Sequence, residues 1–108
     1  MGVLRGYLEA ALWTDSDEIG GRSFGDFSGE ALTQAKNDVK RFVNMTGDSI
    51  KGLESEQVGH DLWLTRNGHG SGFWDRDLGE IGDELTGISE KLGNTDLYVG
   101  DDGKLYFG

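Results

Sequence analysis

The side chains best suited to acid–base or metal chemistry are the two histidines of the 108-residue chain, His60 and His69. His60 is followed directly by Asp61, and Asp75 comes soon after His69. Because Zn²⁺ accepts imidazole and carboxylate ligands, His60, His69 and Asp75 form a hypothetical metal site of a small His/Asp metal-dependent enzyme. Their spacing matches no compact metal-binding signature, and a histidine can equally hydrogen-bond a turn. We therefore expect no catalytic residue, no metal and no cofactor.

Two glycine-containing segments have a superficial likeness to ligand-binding loops. Segment 68–72 places Ser71 between two glycines. However, a phosphate-binding loop needs a lysine and a following helix, and a nucleophile elbow has glycines two positions before and after its serine. Asp101 and Asp102 precede Gly103, but the remaining ligands of a calcium loop are missing. Both segments therefore predict turns.

The composition restricts the chemistry further. The chain has no Cys, which excludes disulfides, thiolate metal sites and a cysteine nucleophile. No apolar run approaches the roughly 20 residues of a transmembrane helix, and the first residues turn polar too soon for a secretory signal. Three Trp, three Tyr and five Phe supply large side chains for a core. We expect a single domain over residues 1–108, located in the cytoplasm.

Charge is the strongest feature of the composition. The chain has 20 acidic and 10 basic residues, a net charge of −10 and a pI near 4.4. Residues 54–108 alone have 12 acidic and 4 basic residues. A negative field repels phosphate backbones, so the sequence disfavours direct binding of nucleic acid and favours a partner with a basic surface. An ordinary solubilising surface is the alternative interpretation.

Hydrophobic periodicity predicts three helices. Apolar residues recur at three- and four-residue steps over 3–12, 29–44 and 78–92, which is typical of amphipathic helices. Ser28 has the side chain of an N-cap for the second helix. A short further helical stretch over 48–53 is also compatible with the pattern.

Alternating residues predict two β-hairpins. Residues 61–66 alternate like a strand, the glycines of 68–72 supply a turn, and 73–76 can return as its partner. Residues 97–99 and 104–107 flank a second turn. The predicted fold is α+β, with about three helices packed on an antiparallel sheet built from the two hairpins.

The candidate partner-binding surface combines an acidic helix face with an aromatic hairpin. Trp74 and Arg76 lie on the expected first hairpin, and Trp and Arg dominate binding hot spots. Arg66 could instead pair with Asp75 across that hairpin, and core packing is the alternative for Trp63 or Trp74. The expected acidic face comprises Asp77, Glu80, Asp83, Glu84 and Glu90. Carboxylates in such a row could imitate DNA phosphates, while a solvated helix face is the alternative.

Two stretches resemble a group of small acidic bacteriophage and prophage proteins. Residues 60–76 read HDLWLTRNGHGSGFWDR and residues 96–104 read DLYVGDDGK. The resemblance covers about residues 57–106, and it implies expression in the cytoplasm of a bacterial host without implying an activity. By analogy with other small phage proteins, it favours an antagonist of host restriction or CRISPR machinery that acts through an acidic, DNA-mimicking surface. An accessory protein of phage assembly is the alternative, with the metal-dependent enzyme as a second one.

Overall fold

The computed structural model describes residues 2–14, 19–68, 72–73 and 78–108. These ranges contain helices α1 (Gly2–Thr14), α2 (Gly29–Thr46), α3 (Ser55–Arg66) and α4 (Glu80–Lys91), strands β1 (Leu97–Val99) and β2 (Leu105–Phe107), and 3₁₀ turns at Phe24–Asp26 and Gly47–Ile50. None of the helices in these ranges is both long enough and apolar enough to cross a membrane.

Helices α1 and α3 pack backbone to backbone because glycines lie at their contact. Gly6 of α1 lies against the Glu56 carbonyl, and Gly59 of α3 lies against the Val3 carbonyl. A Cβ atom on either glycine would overlap the facing carbonyl oxygen. Close approach of these two helices therefore requires a residue without a side chain at each position.

Helix α2 begins where the sequence predicts. The Ser28 hydroxyl accepts a hydrogen bond from the Ala31 N–H at 3.0 Å, which satisfies one of the free donors of the first turn. The buried face of α2 runs through Ala31, Ala35, Val39 and Phe42. Through this face α2 packs against α1, α4 and β2 and joins the hydrophobic core.

The C-terminal hairpin is confirmed, and it is joined to the helices by aromatic rings. Strands β1 and β2 are antiparallel, with Tyr98 opposite Tyr106. The rings of Phe27 and Phe107 are stacked with centroids 5.7 Å apart, and Phe107 also contacts Trp63 at 5.7 Å and Tyr7 at 6.2 Å. We call Tyr7, Phe27, Trp63 and Phe107 the aromatic cluster.

The prediction of a first hairpin, and with it of a four-stranded sheet, is wrong. Residues 61–66 form the second half of α3, and the sheet of the described ranges has the two strands β1 and β2. Phe73 lies outside any strand, is buried, and stacks on Phe42 at 5.7 Å, while 74–76 lie outside the described residues. The fold remains α+β, with four helices and one small hairpin in the part of the chain that the structure describes.

Candidate functional site

The exposed face of α4 is acidic. Successive residues of an α-helix are about 100° apart, so the four carboxylates of α4 lie within an arc of about 120°. The opposite side of the helix faces the core through Leu85 and Ser89, which are fully buried. All four carboxylate residues are exposed. We call them the α4 acidic face: Glu80, Asp83, Glu84 and Glu90.

The α4 acidic face carries an excess of negative charge, because Lys91 is the one basic residue of α4 and lies within the same arc of the helix. Among the described residues, none of the four carboxylates has a Lys, Arg or His nitrogen within 4.0 Å. Glu84 accepts a hydrogen bond from the Ser49 hydroxyl, which leaves its charge in place. Glu80 and Asp83 also lie in the first turn of α4, where a carboxylate interacts favourably with the helix dipole. The dipole accounts for two of the acidic residues but not for Glu84 and Glu90.

An exposed apolar side chain borders the α4 acidic face. Ile81 is 44% exposed, although isoleucine is one of the residues most often buried. An apolar contact at the edge of a charged face is what a protein partner could bury. Three other residues of the expected binding surface, Asp77, Trp74 and Arg76, lie outside the described residues.

The hypothetical histidine site is not assembled by the described residues. The His60 Nε2 lies 3.6 Å from the Glu9 carboxylate, whereas Asp61 is buried and accepts a hydrogen bond from Gln57. As neighbours on a helix, His60 and Asp61 point in directions about 100° apart. His69 and Asp75 lie outside the described ranges, and within those ranges there is no group of three potential ligands for a metal.

Arg66 anchors the core, while Asp75, its alternative partner in the sequence analysis, lies outside the described residues. Its guanidinium donates hydrogen bonds to the Asp38 carboxylate and the Tyr7 hydroxyl, each at 2.9 Å. It also donates to the carbonyls of Leu92 at 3.0 Å and Gly93 at 2.7 Å, which end α4. The side chain is only 5% exposed. One residue of α3 thus joins α1, α2 and the C-terminus of α4.

Burial raises the pKa of Tyr7 from 10.0 to about 12. The positive charge of Arg66 and its hydrogen bond oppose this shift, and the negative charge of Asp38 adds to it. Because the phenol loses contact with water on folding, its ionised form is disfavoured in the core. Tyr7 therefore keeps its proton in the folded protein at a pH where an unfolded tyrosine has lost it.

The shift predicts a loss of stability in alkali. The contribution of the protonated Tyr7 to the unfolding free energy is complete below pH 10 and disappears as the pH rises through about 12. The reason is that the Tyr7 hydroxyl of the unfolded chain releases its proton at a lower pH than that of the folded protein. Between about pH 9 and about pH 11.5, wild type should lose about 2 kcal/mol more unfolding free energy than Tyr7→Phe. Urea unfolding at both pH values measures this difference. The exposed Tyr98→Phe is the control, and parallel losses in wild type and Tyr7→Phe would contradict the prediction.

The turn at Asp101 and Asp102 is part of the hairpin, as the sequence predicts. The Asp102 carboxylate accepts hydrogen bonds from the Lys104 N–H at 3.0 Å and from the Tyr106 hydroxyl at 2.7 Å. The first of these bonds is the main reason that the pKa of Asp102 is lowered. The rings of Tyr98 and Tyr106 stack beside it at 5.9 Å. These contacts show that Asp102 stabilises the turn of the hairpin.

A groove between α1 and α3 was not anticipated from the sequence. It contains Trp13, which is 69% exposed, beside the acidic residues Glu9 and Glu56. The Trp13 and His60 rings lie 6.4 Å apart. A sequence signal existed, because Trp13 and Glu9 are four residues apart and so share one side of a helix.

Comparison of the chain with protein-family models, curated proteins and solved structures finds no match. The resemblance of residues 57–106 to bacteriophage proteins therefore stays a prediction. Function has to be argued from the surfaces described above.

Proposed function

We propose that this protein binds a partner with a basic surface through the α4 acidic face. The observation that carries the proposal is the row of four exposed carboxylates, none of which has a cationic nitrogen within 4.0 Å among the described residues and which outnumber the single lysine, Lys91, on the same side of α4. Such an excess of like charge has an electrostatic cost in the free protein. A complementary surface on a partner removes that cost and speeds association.

The spacing of the carboxylates suits a partner that normally binds DNA. From Glu80 to Glu90 the helix rises about 15 Å, at about 1.5 Å per residue. Four negative charges over that length are about 5 Å apart on average along the axis, compared with about 3.4 Å between the charges of one strand of B-DNA. The α4 acidic face thus has roughly two thirds of the linear charge density of a single DNA strand. A protein surface built for phosphates would accept it.

The biological setting of this proposal comes from the resemblance to phage proteins. It would make the partner a bacterial host protein that binds nucleic acid, such as a restriction or CRISPR effector. The DNA-mimicking surface would then occupy the site of the nucleic acid. An accessory role in phage assembly is the competing proposal, and it requires association with itself or with other virion proteins.

Neutralising the α4 acidic face tests the proposal. The full chain is immobilised and incubated with bacterial lysate, and bound proteins are then displaced with duplex DNA. A protein released in this way is purified and titrated with the wild-type chain and with each variant. The test variant combines Glu80→Gln, Asp83→Asn, Glu84→Gln and Glu90→Gln. We expect it to bind that protein on the order of 30-fold more weakly, since each exposed pair contributes about 0.5 kcal/mol or more.

The control variant removes the same charge from other exposed positions. It combines Glu30→Gln, Asp48→Asn, Asp96→Asn and Asp101→Asn. Retained binding by the control, with weakening of the wild-type complex as salt rises, supports the α4 acidic face. Equal losses in both variants would show that only net charge matters, and recovery of the protein solely with copies of itself would favour the assembly role.

A further inference from the structure

The groove between α1 and α3 has a volume of about 440 Å³ and an exposed indole on one wall. Trp13 is the most exposed of the large apolar side chains in the described ranges, at 69%. Trp buries more apolar area than almost any other residue when it packs, and its exposure therefore leaves a large unused contact surface. Trp is also among the residues that most often dominate protein interfaces.

Both helices that line the groove carry negative charge. Glu9 lies one helical turn before Trp13 on α1, and Glu56 lies one turn before His60 on α3. Glu54 lines the same groove, while its carboxylate accepts hydrogen bonds from the N–H groups that begin α3. An aromatic face with carboxylates around it is complementary to a cation that has a flat face.

The present partners of these carboxylates are an exposed arginine and a partly buried histidine. The Arg5 Nε lies 3.4 Å from Glu56, with the two side chains 63% and 47% exposed. Glu9 lies 3.6 Å from the His60 Nε2 and is 48% exposed. The Glu9 carboxylate is thus open to solvent on one side, where an incoming cation can pair with it without displacing a fully buried group.

We propose that this groove binds an arginine side chain of a protein partner. The guanidinium stacks on the Trp13 indole and pairs with the Glu9 carboxylate, while His60 forms the wall beside the ring. Arginine fits better than lysine, because its planar group both stacks on an aromatic face and donates hydrogen bonds in a fork. The inference rests on the proposed function for its basic protein partner but uses a separate surface from the α4 acidic face.

A defined peptide tests the groove without knowledge of the partner. The probe is a blocked pentapeptide with one central arginine, compared with the same peptide carrying citrulline, which has the shape of arginine without its charge. The peptides are titrated into the ¹⁵N-labelled full chain. We expect the arginine peptide to shift the Trp13 indole N–H and the His60 amide signals in a saturable way, with a Kd on the order of 1 mM.

Variants then separate the groove from general charge attraction. Trp13→Leu and Glu9→Gln should each weaken the arginine peptide on the order of fivefold. Trp13 is mostly exposed and contributes little to the core, so Trp13→Leu should keep its fold. The amide spectrum of the variant checks this. The Glu80→Gln/Asp83→Asn variant changes charge at a distance and should bind the peptide as wild type does.

Two results would contradict the proposal that the groove binds arginine. One is an arginine peptide that binds Trp13→Leu as well as wild type. The other is a citrulline peptide that binds as tightly as arginine. Neither result bears on the α4 acidic face, because that proposal depends on the quadruple variant and a purified partner. Conversely, failure of the α4 test with intact peptide binding would leave the groove in place.

Discussion

The Arg66→Met variant is expected to lose on the order of 4 kcal/mol of its unfolding free energy. Methionine fills much of the same space but supplies none of the donors. The Asp38 carboxylate then stays largely buried without its cation, and the Tyr7 hydroxyl and the carbonyls of Leu92 and Gly93 lose their donor. Since domains of this size are stable by only about 5–15 kcal/mol, this loss is a large share of the total.

Chemical denaturation of matched variants measures the effect of Arg66. Arg41→Met changes an exposed arginine of α2 and should cost less than about 0.5 kcal/mol. Combining Arg66→Met with Asp38→Leu should cost less than the sum of the two single changes, because the second change removes the charge that the first leaves unpaired. Two results would show that the buried network does not stabilise the fold. One is an unfolding free energy of Arg66→Met that equals that of Arg41→Met. The other is a double variant whose loss equals the sum of the losses in the two single variants.

The Gly59→Ala variant is expected to lose about 3 kcal/mol or to fail to fold. The added methyl group overlaps the Val3 carbonyl oxygen, which belongs to the backbone and cannot rotate away. The α1 and α3 helices would have to separate, and the contacts of the Tyr7 and Trp63 rings would be lost with the separation. Gly6→Ala meets the Glu56 carbonyl in the same way from the other helix.

A second helical glycine supplies the control. A Cβ on Gly87 of α4 would meet no atom within 4 Å, so Gly87→Ala should stabilise the protein by up to about 1 kcal/mol through helix propensity. Thermal or urea unfolding of the two alanine variants therefore should give opposite signs. Equal effects of Gly59→Ala and Gly87→Ala would mean that the α1–α3 contact is looser than the structure shows.

Helices with one buried side could be predicted from the sequence. Helices α1, α2 and α4 each place apolar residues at helical steps, and the Ser28 cap of α2 is confirmed. The C-terminal hairpin is confirmed as well, since its turn residues and short β-rich strands agree. In each case the local preference and the pattern of burial point to the same structure.

Helix α3 could not be predicted because it is buried on nearly all sides. Residues 61–66 are all buried, including Asp61, Thr65 and Arg66. This second half of α3 has no exposed polar side, so residues 61–66 lack the 3.6-residue period, whereas Glu56 and His60 in the first half are partly exposed. The alternation within DLWLTR then resembles a strand by coincidence. The Glu54 carboxylate caps α3, but it gave little signal in the sequence because Ser, Thr, Asp and Asn are the residues preferred at an N-cap.

The candidate surfaces were predicted to different degrees. The α4 acidic face could be recognised in part, because Glu80, Asp83, Glu84 and Glu90 fall on the outside of a predicted helix. The α1–α3 groove could not, because it depends on two helices that meet through Gly6 and Gly59. With residues 61–66 interpreted as a strand, no reasoning from the sequence could place His60 beside Trp13.

The aromatic cluster has a consequence for how the protein opens. Its four rings come from α1, the segment before α2, α3 and β2, and Phe107 contacts the other three. Releasing the hairpin would therefore uncover Tyr7 and Trp63 at the centre of the helical core. A partial opening that frees β2 and keeps the helices intact is thus costly. We infer that the small hairpin and the α1–α3 pair form one cooperative unit, whose amides would exchange with solvent through a shared opening event.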